Sequence, residues 1–378
     1  MKYFLIAGEA SGDLHGSNLI KGIQKADATA EFKCYGGEKM QAAGGILVKH
    51  YKELALMGIW EVFKNIRKFK RFIDTCKEEI RNYGPDVLIL IDYAGFNLRI
   101  AKFGKQENIP VYYYISPKLW AWGKSRSKKI RRFVKRMIVI LPFEVGFYSN
   151  LGIKADFFGN PVIDEIAGFN QSYTEASEEF RARHELGNKP IVALLAGSRK
   201  QEIDLCLPEM MDVINQFPDY QFVLAGARSI EKDYYERFIK DQRIRLVYDE
   251  TYPLLKNATA AIVTSGTATL EAALLNVPQV VIYKTSNATF CIGQFFILLG
   301  VIHVKYFSLV NIILNRELVK EILQFRISEK IENELKALLD HEVNRINILK
   351  GYDEISISLM RPGVSERVAS SMVQSLKE

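Results

Sequence analysis

Apolar residues along this chain follow two patterns: short unbroken runs, and stretches in which they return every third or fourth position. The runs Lys2–Ala7, Val87–Ile91, Val111–Ile115, Met137–Ile140 and Ala155–Phe158 predict strands buried on both faces. Between them Ser17–Ala26, Trp60–Arg81, Leu98–Gln106 and Ser125–Val134 predict amphipathic helices. Strand-then-helix alternation without hairpin turns means parallel βαβ units in a doubly wound sheet. The pattern then restarts, with Ile191–Leu195, Phe222–Ala225, Ile244–Val247, Ala260–Val263 and Val280–Tyr283 as a second set of strands. Asp164–Glu178, centred on the polar Asn170-Gln171-Ser172-Tyr173-Thr174, marks the domain boundary. From Ser328 onward the chain reads as helical, broken at Arg361-Pro362-Gly363 before a last helix from Ser365. The expected fold class is α/β, with two doubly wound Rossmann-like domains and ligands bound between the carboxyl ends of their sheets.

The length of 378 residues accommodates two such domains, and 48% hydrophobic with 25% charged residues is ordinary for a globular chain. The net charge of +7 points to an anionic partner without choosing among nucleic acid, a phosphorylated metabolite and an acidic membrane. Cys34, Cys76, Cys206 and Cys291 are widely spaced, with no metal-like pattern among them and the histidines. They read as reduced thiols of a cytoplasmic protein. The apolar start is too short for a signal peptide. The longest apolar window, Phe290 to Val304, is interrupted by Gln294, glycines and His303, so it predicts a buried or interfacial helix rather than a membrane span.

Three strand–helix junctions carry candidate chemistry. The first is Ala7-Gly8-Glu9-Ala10-Ser11-Gly12-Asp13, where small residues before a helix let backbone amides approach a ligand. It is not GxGxxG, which favours an anionic or sugar ligand over a nicotinamide cofactor; a tight turn capped by Ser11 or Asp13 is the plainer alternative. The others are Leu195-Ala196-Gly197-Ser198-Arg199-Lys200-Gln201-Glu202 and Thr264-Ser265-Gly266-Thr267-Ala268-Thr269-Leu270-Glu271. Two such junctions in one domain can aim amides at one diphosphate, with Arg199 adding a charged contact and Glu271 accepting from ribose hydroxyls. No Walker A sequence and no Asp-x-Asp pair after a strand is present, so helix ends and Arg199 are expected to replace a metal. Asp92, ending the strand Val87–Ile91, is the candidate general base, with helix capping as its alternative role.

Two basic segments lie beside apolar ones. Lys64, Arg67, Lys68, Lys70 and Arg71 follow Leu54–Trp60, which includes Met57 and Ile59. Lys124, Arg126, Lys128, Lys129, Arg131, Arg132, Lys135 and Arg136 follow Leu119-Trp120-Ala121-Trp122. Such pairing suits an anionic membrane interface, or nucleic acid with stacking tryptophans, or a merely solvated helix face.

Taken together, these motifs resemble the lipid-A-disaccharide synthase family from end to end. The likeness rests on the Gly8–Asp13 turn, Met57-Gly58-Ile59-Trp60-Glu61-Val62, Ser116-Pro117-Lys118-Leu119-Trp120-Ala121-Trp122 and Leu141-Pro142-Phe143-Glu144. It continues through Gly197-Ser198-Arg199, Ser265–Glu271, Asn311, Glu317-Leu318-Val319-Lys320-Glu321 and Gln324. The resemblance implies a GT-B fold: an acceptor and membrane-facing domain over 1–165, a UDP-sugar domain over 166–349, and a helical return over 350–378. It implies an inverting transfer joining UDP-2,3-diacylglucosamine to 2,3-diacylglucosamine 1-phosphate, giving a β-1,6 disaccharide and UDP. By the same likeness Asp92 is catalytic. Ser198, Arg199, Ser265, Gly266, Thr267, Glu271, Asn311 and Gln324 serve the donor; Gly8, Glu9, Ser11, Gly12 and Asn97 serve the acceptor. Met57, Ile59, Trp60, Lys64, Arg67 and Lys68 face the membrane. No metal, cofactor or nucleic acid is expected; the protein is placed on the inner face of the inner membrane, and the family suggests a homodimer. Departures from the family pattern are Gly95 where a second acid usually stands, Asn160 after Gly159 where His is frequent, and Ala196 in place of Pro. The rivals are another UDP-GlcNAc-using GT-B enzyme (an epimerase or the peptidoglycan GlcNAc transferase) and a non-catalytic basic protein binding membrane or RNA.

Overall fold

The computed structural model describes residues 1–55, 66–121, 124–239, 243–298 and 305–378. The chain divides into two compact units, one of Met1–Asp164 with Leu359–Glu378, the other of Glu165–Ser358.

Unit 1 is built on a parallel seven-stranded sheet. Its strands are β1 (Lys2–Ala7), β2 (Glu31–Gly36), β3 (Ile46–His50), β4 (Val87–Ile91), β5 (Val111–Tyr114), β6 (Arg136–Val139) and β7 (Ala155–Phe157), in the order β3-β2-β1-β4-β5-β6-β7. Alternate residues serve opposite faces: Phe4, Ile6, Leu88 and Leu90 enter one core, while Tyr3, Leu5, Ile89 and Ile91 enter the other. Because helices cover both faces, the central strands are apolar throughout, which is why they were readable as runs. β2 and β3 were not expected; both mix polar with apolar residues near the sheet edge, so no run announces them.

Unit 2 repeats the plan with a parallel six-stranded sheet, ordered β10-β9-β8-β11-β12-β13. Its strands are β8 (Ile191–Leu195), β9 (Gln221–Gly226), β10 (Arg245–Tyr248), β11 (Ala258–Thr264), β12 (Gln279–Tyr283) and β13 (Glu321–Leu323). The three-residue β13 is too short to register as a hydrophobic run.

The stretch Asp164–Glu178, expected to hold the domain boundary, begins within the helix Val162–Ser172, and the division falls inside that helix, between Asp164 and Glu165. Asn160 opens this helix: its Oδ1 accepts from Val162 N at 3.0 Å and its Nδ2 donates to Ile140 O at 3.1 Å. The return to unit 1 starts at Leu359 rather than at 350. Residues 350–358 belong to the helix Glu342–Ser358, where Gly351 lies against Leu318 and Ile355 is buried within unit 2. After the break at Pro362, Asp164 caps the last helix, Val364–Lys377, by accepting from the amides of Gly363, Val364 and Ser365 at 2.7, 3.0 and 2.8 Å. That helix buries Val368, Ala369 and Met372 in the core beneath the helix Ala10–Ala26. The contact needs Gly22, since a Cβ there would stand 2.9 Å from that of Ala369.

Among the described residues no helix is long and apolar enough to cross a membrane. The window from Phe290 begins within the helix Asn287–Leu298, which leaves Phe295 and Cys291 exposed. Cys34, Cys76 and Cys206 are buried free thiols.

Candidate active site

In each sheet the order reverses beside its first strand, and in each the candidate loops sit at that reversal. In unit 1, β1 pairs with β4 so that Ala7 lies opposite Ile91, which brings the Gly8–Asp13 turn beside Asp92. In unit 2, β8 pairs with β11, with Leu195 opposite Val263, which brings Gly197-Ser198-Arg199 beside Ser265-Gly266-Thr267. Crevices outside the carboxyl ends of strands at such switch points are where open α/β sheets bind ligands.

Asp92 and Tyr93 both adopt left-handed backbone, with φ of 45° and 44°. This is uncommon for Asp and strained for Tyr, and such strain persists where surrounding structure enforces it. The enforcement is visible. Asn97 Nδ2 donates to Ile91 O at 3.1 Å and to Asp92 O at 2.8 Å, and Tyr113 Oη also donates to Asp92 O. Asn97 is fully buried and serves the turn as a brace. The Tyr93 ring in turn covers Gly8, where a Cβ would stand 2.3 Å from Tyr93 Cγ. What approaches Gly8 closely is therefore this ring. Gly12 packs on Ala7 and Ile91, while Glu9 and Ser11 are exposed.

Burial pushes the Asp92 carboxyl above its ordinary value and the negative Glu9 adds to this; Lys118, the Tyr93 amide and His15 pull it down. The helix Ala94–Gln106 has Tyr93 at its N-cap and no side-chain cap bond, so capping does not account for Asp92. Asp13 is a brace as well. It caps the helix Glu38–Ala42 rather than its own, accepting from Gly37, Lys39 and Met40 amides at 2.7, 3.1 and 3.0 Å. A Cβ on Gly95 would meet nothing within 4 Å, so the missing second acid leaves open space.

Glu144, in the Leu141-Pro142-Phe143-Glu144 motif, has a structural role that the sequence pattern does not announce. Its carboxylate accepts from Ser116 Oγ at 2.8 Å, Trp120 Nε1 at 3.1 Å, and the Ile140 and Leu141 amides at 3.2 and 3.0 Å. Tyr148 Oη donates to Pro117 O at 2.7 Å. Together they lock the loop after β5, which carries Lys118 near Asp92.

In unit 2, Gly197 has φ of 106° and sits against Glu202, whose Oε2 accepts from Ser198 N at 3.1 Å. Arg199 is exposed and pairs with Glu202 at 3.3 Å. Ser265 Oγ donates to Phe307 O at 2.7 Å, while Gly266 and Thr267 are exposed at the start of the helix Thr267–Leu274. Glu271 accepts from Tyr252 Oη at 3.2 Å and is pushed up to about 7 by burial and the nearby Glu165 charge, against the Tyr252 bond.

Asn311 and Gln324 are placed differently from expectation. Asn311 is wholly buried, its Nδ2 donating to Val319 O and Glu321 at 2.8 Å each, its Oδ1 accepting from the Leu318 and Val319 amides at 2.8 and 3.0 Å. Glu321 also accepts from Phe307 N and Ser308 N at 2.8 Å each. Gln324, at φ 58°, exchanges bonds with the Thr285 backbone and donates to Asn287. Asn311 and Glu321 thus form an internal network that sets the 307–308 loop against Ser265, while Gln324 ties the end of β13 to the 285–287 segment.

The membrane-facing candidates Met57, Ile59, Trp60 and Lys64 lie outside the described residues. Arg67, Lys70 and Arg71 are exposed on the helix Ile66–Tyr83, which also carries Lys68.

A family model for lipid-A-disaccharide synthetase matches residues 3–371. The lipid-A-disaccharide synthase of Syntrophus aciditrophicus is 36% identical over 386 residues, covering 99% of this chain and 97% of its own. That of Geobacter metallireducens is 35% identical over 382 residues, with the same coverage. Among solved structures, a putative UDP-N-acetylglucosamine 2-epimerase from Listeria monocytogenes superposes with a TM-score of 0.70 at 11% identity, covering 100% of this chain and 96% of its own. The UDP-GlcNAc 2-epimerase of Methanocaldococcus jannaschii, in complex with UDP-GlcNAc and UDP, gives 0.64 at 13% identity, covering 99% and 100%. At such identities the structural likeness shows the fold alone, the two-Rossmann-domain GT-B fold.

Proposed function

Because the chain belongs to the lipid-A-disaccharide synthase family, and so is a glycosyltransferase that forms the lipid A disaccharide, we propose which groups carry the reaction and on what substrates. The donor is UDP-2,3-diacylglucosamine, held by unit 2; the acceptor is 2,3-diacylglucosamine 1-phosphate, held by unit 1 beside Asp92. The acceptor 6-hydroxyl oxygen attacks the donor anomeric carbon as the bond from that carbon to the diphosphate oxygen breaks. The hydroxyl proton passes to Asp92 and UDP leaves. One displacement inverts an α-linked donor to a β-linked product.

The observation that carries this reading is the strained, braced turn that presents Asp92 at the switch point of unit 1. A carboxyl whose proton affinity is raised by burial is a stronger base once ionised, and Lys118 and His15 favour that ionised form. In unit 2, Arg199, the amides around Ser265–Thr267 and Glu271 meet the diphosphate and ribose. The UDP and UDP-sugar bound by structural neighbours support a nucleotide there. Both substrates carry acyl chains, so the enzyme works at an anionic membrane surface, which the basic helix 66–83 suits.

Asp92→Asn tests the base. The amide keeps the size, so the fold and UDP binding stay near normal while turnover falls at least roughly a hundred-fold. A folded variant retaining more than about a tenth of normal turnover removes Asp92 from the mechanism. UDP release that requires both acylated sugars together separates this enzyme from an epimerase and from a non-catalytic binder.

A further inference from the structure

The nucleotide reading of unit 2 leaves one arrangement of side chains without a purpose. Tyr252, on the helix Thr251–Lys256, presents its hydroxyl to two carboxyls at once: Glu165 Oε2 at 3.3 Å and Glu271 Oε1 at 3.2 Å. A phenol has one proton to donate. Were both glutamates ionised, one of these oxygen–oxygen contacts would hold no hydrogen and would repel in a partly buried place. Both contacts are bonds only when one carboxyl keeps its proton and donates to the phenol oxygen, while the phenol donates to the other.

We infer that Glu165 and Tyr252 are positioning residues for Glu271, and that the trio holds a shared proton which leaves when Glu271 receives the ribose hydroxyls of the nucleotide. This rests on the assignment of Glu271 to the ribose and adds how that carboxyl is held and charged. A ribose diol brings two donors, and these bind an ionised carboxylate more strongly than a neutral acid. Without nucleotide the protonated trio satisfies its own bonds; with nucleotide the hydroxyls replace the proton.

The surroundings agree with this. Glu271 is pushed up to about 7, by burial first and then by Glu165. Tyr252 is pushed well above its ordinary range by burial and the same two carboxyls. Several other charged groups on the packed elements are engaged elsewhere or face solvent. Asp164 caps the last helix, and Lys256 lies over the Phe169 and Tyr173 rings. Leu309–Leu314 carries no titratable side chain; on Glu342–Ser358, Tyr352 bonds Gln279, Glu354 pairs with Arg316, and Lys350 and Asp353 are exposed.

The test is the pH dependence of UDP binding by calorimetry, in wild type and in Glu165→Gln, which keeps an acceptor for Tyr252 and removes the charge. With half-titration near 7, the ionised fraction of Glu271 climbs from roughly a tenth at pH 6 to roughly nine-tenths at pH 8, so wild-type affinity gains about tenfold. The terminal phosphate of UDP titrates in this range too, but equally for both proteins, so their difference reports the trio. A larger gain in wild type than in Glu165→Gln, whose Glu271 is raised by burial alone, supports the proposal. Parallel profiles overturn it, and if Glu271→Gln still weakens UDP, the ribose assignment survives that failure. UDP affinity unchanged in Glu271→Gln overturns the ribose assignment, and the proposal with it. Should Glu165→Gln fail to fold, wild type alone decides. Calorimetry in buffers of unequal ionisation enthalpy should show roughly half a proton released at pH 7 beyond that of UDP itself, and none released overturns the proposal.

Discussion

Arg199 stands ready at small cost. Its guanidinium is exposed and its pairing with Glu202 at 3.3 Å is a surface pairing, worth little, so a diphosphate displaces it readily. Losing a charge-assisted contact costs ~1.5–3 kcal/mol, so Arg199→Ala should weaken UDP binding roughly ten- to a hundred-fold. Calorimetric titration checks this, and activity abolished by EDTA and restored by Mg²⁺ would assign the diphosphate to a metal instead. The neutral amides behave differently. Asn97, Asn160, Asn311 and Gln324 all sit near strand or helix ends, and the side-chain amide of each donates to a backbone carbonyl inside the protein. Asp92 stands out in the sequence as an acid at the end of a buried strand, with helix capping as its alternative. That it lies beside the Gly8–Asp13 turn follows only from the pairing of β1 with β4. The roles of the amides are not legible there, because donor and acceptor on one side chain suit a ligand and a backbone loop equally. Motif spacing does not say which one is present.

At the level of elements, strands at the middle of each sheet could be read from apolar runs, whereas β2, β3 and β13 could not, being short or polar at the edge. The sheet order was equally hidden, and it is the order that sets the paired loops side by side. The 307–308 loop shows how much such placement depends on buried bonds. Asn311→Ala leaves the Leu318 and Val319 amides and the Glu321 carboxylate each short of a partner. We expect a loss of ~2–3 kcal/mol in urea unfolding, together with weaker UDP binding through displacement of Ser265. A loss under about 0.5 kcal/mol would show that water replaces the amide without penalty.

At the scale of the molecule, the basic excess concentrates in segments beside apolar ones, and the helix 66–83 displays Arg67, Lys70 and Arg71 to solvent. Each basic residue near anionic lipid is worth ~1 kcal/mol, so replacing Lys64, Arg67, Lys68 and Lys70 with Glu should release the protein from anionic vesicles. Pelleting unchanged by that reversal would mark the segment as a solvated helix face. The route by which the chain leaves unit 1 and re-enters it at Leu359 is not written in the residue pattern. That route has a consequence for biosynthesis. Residues 165–358 form one continuous stretch and can close their core as soon as the ribosome has released them. Unit 1 is made first yet finished last: the face of Ala10–Ala26 that receives Val368, Ala369 and Met372 stays uncovered until the final helix has emerged. Throughout translation of unit 2, then, the nascent chain carries an apolar surface open to chaperones or to misassembly, and the half bearing Asp92 becomes whole only after unit 2 has been made.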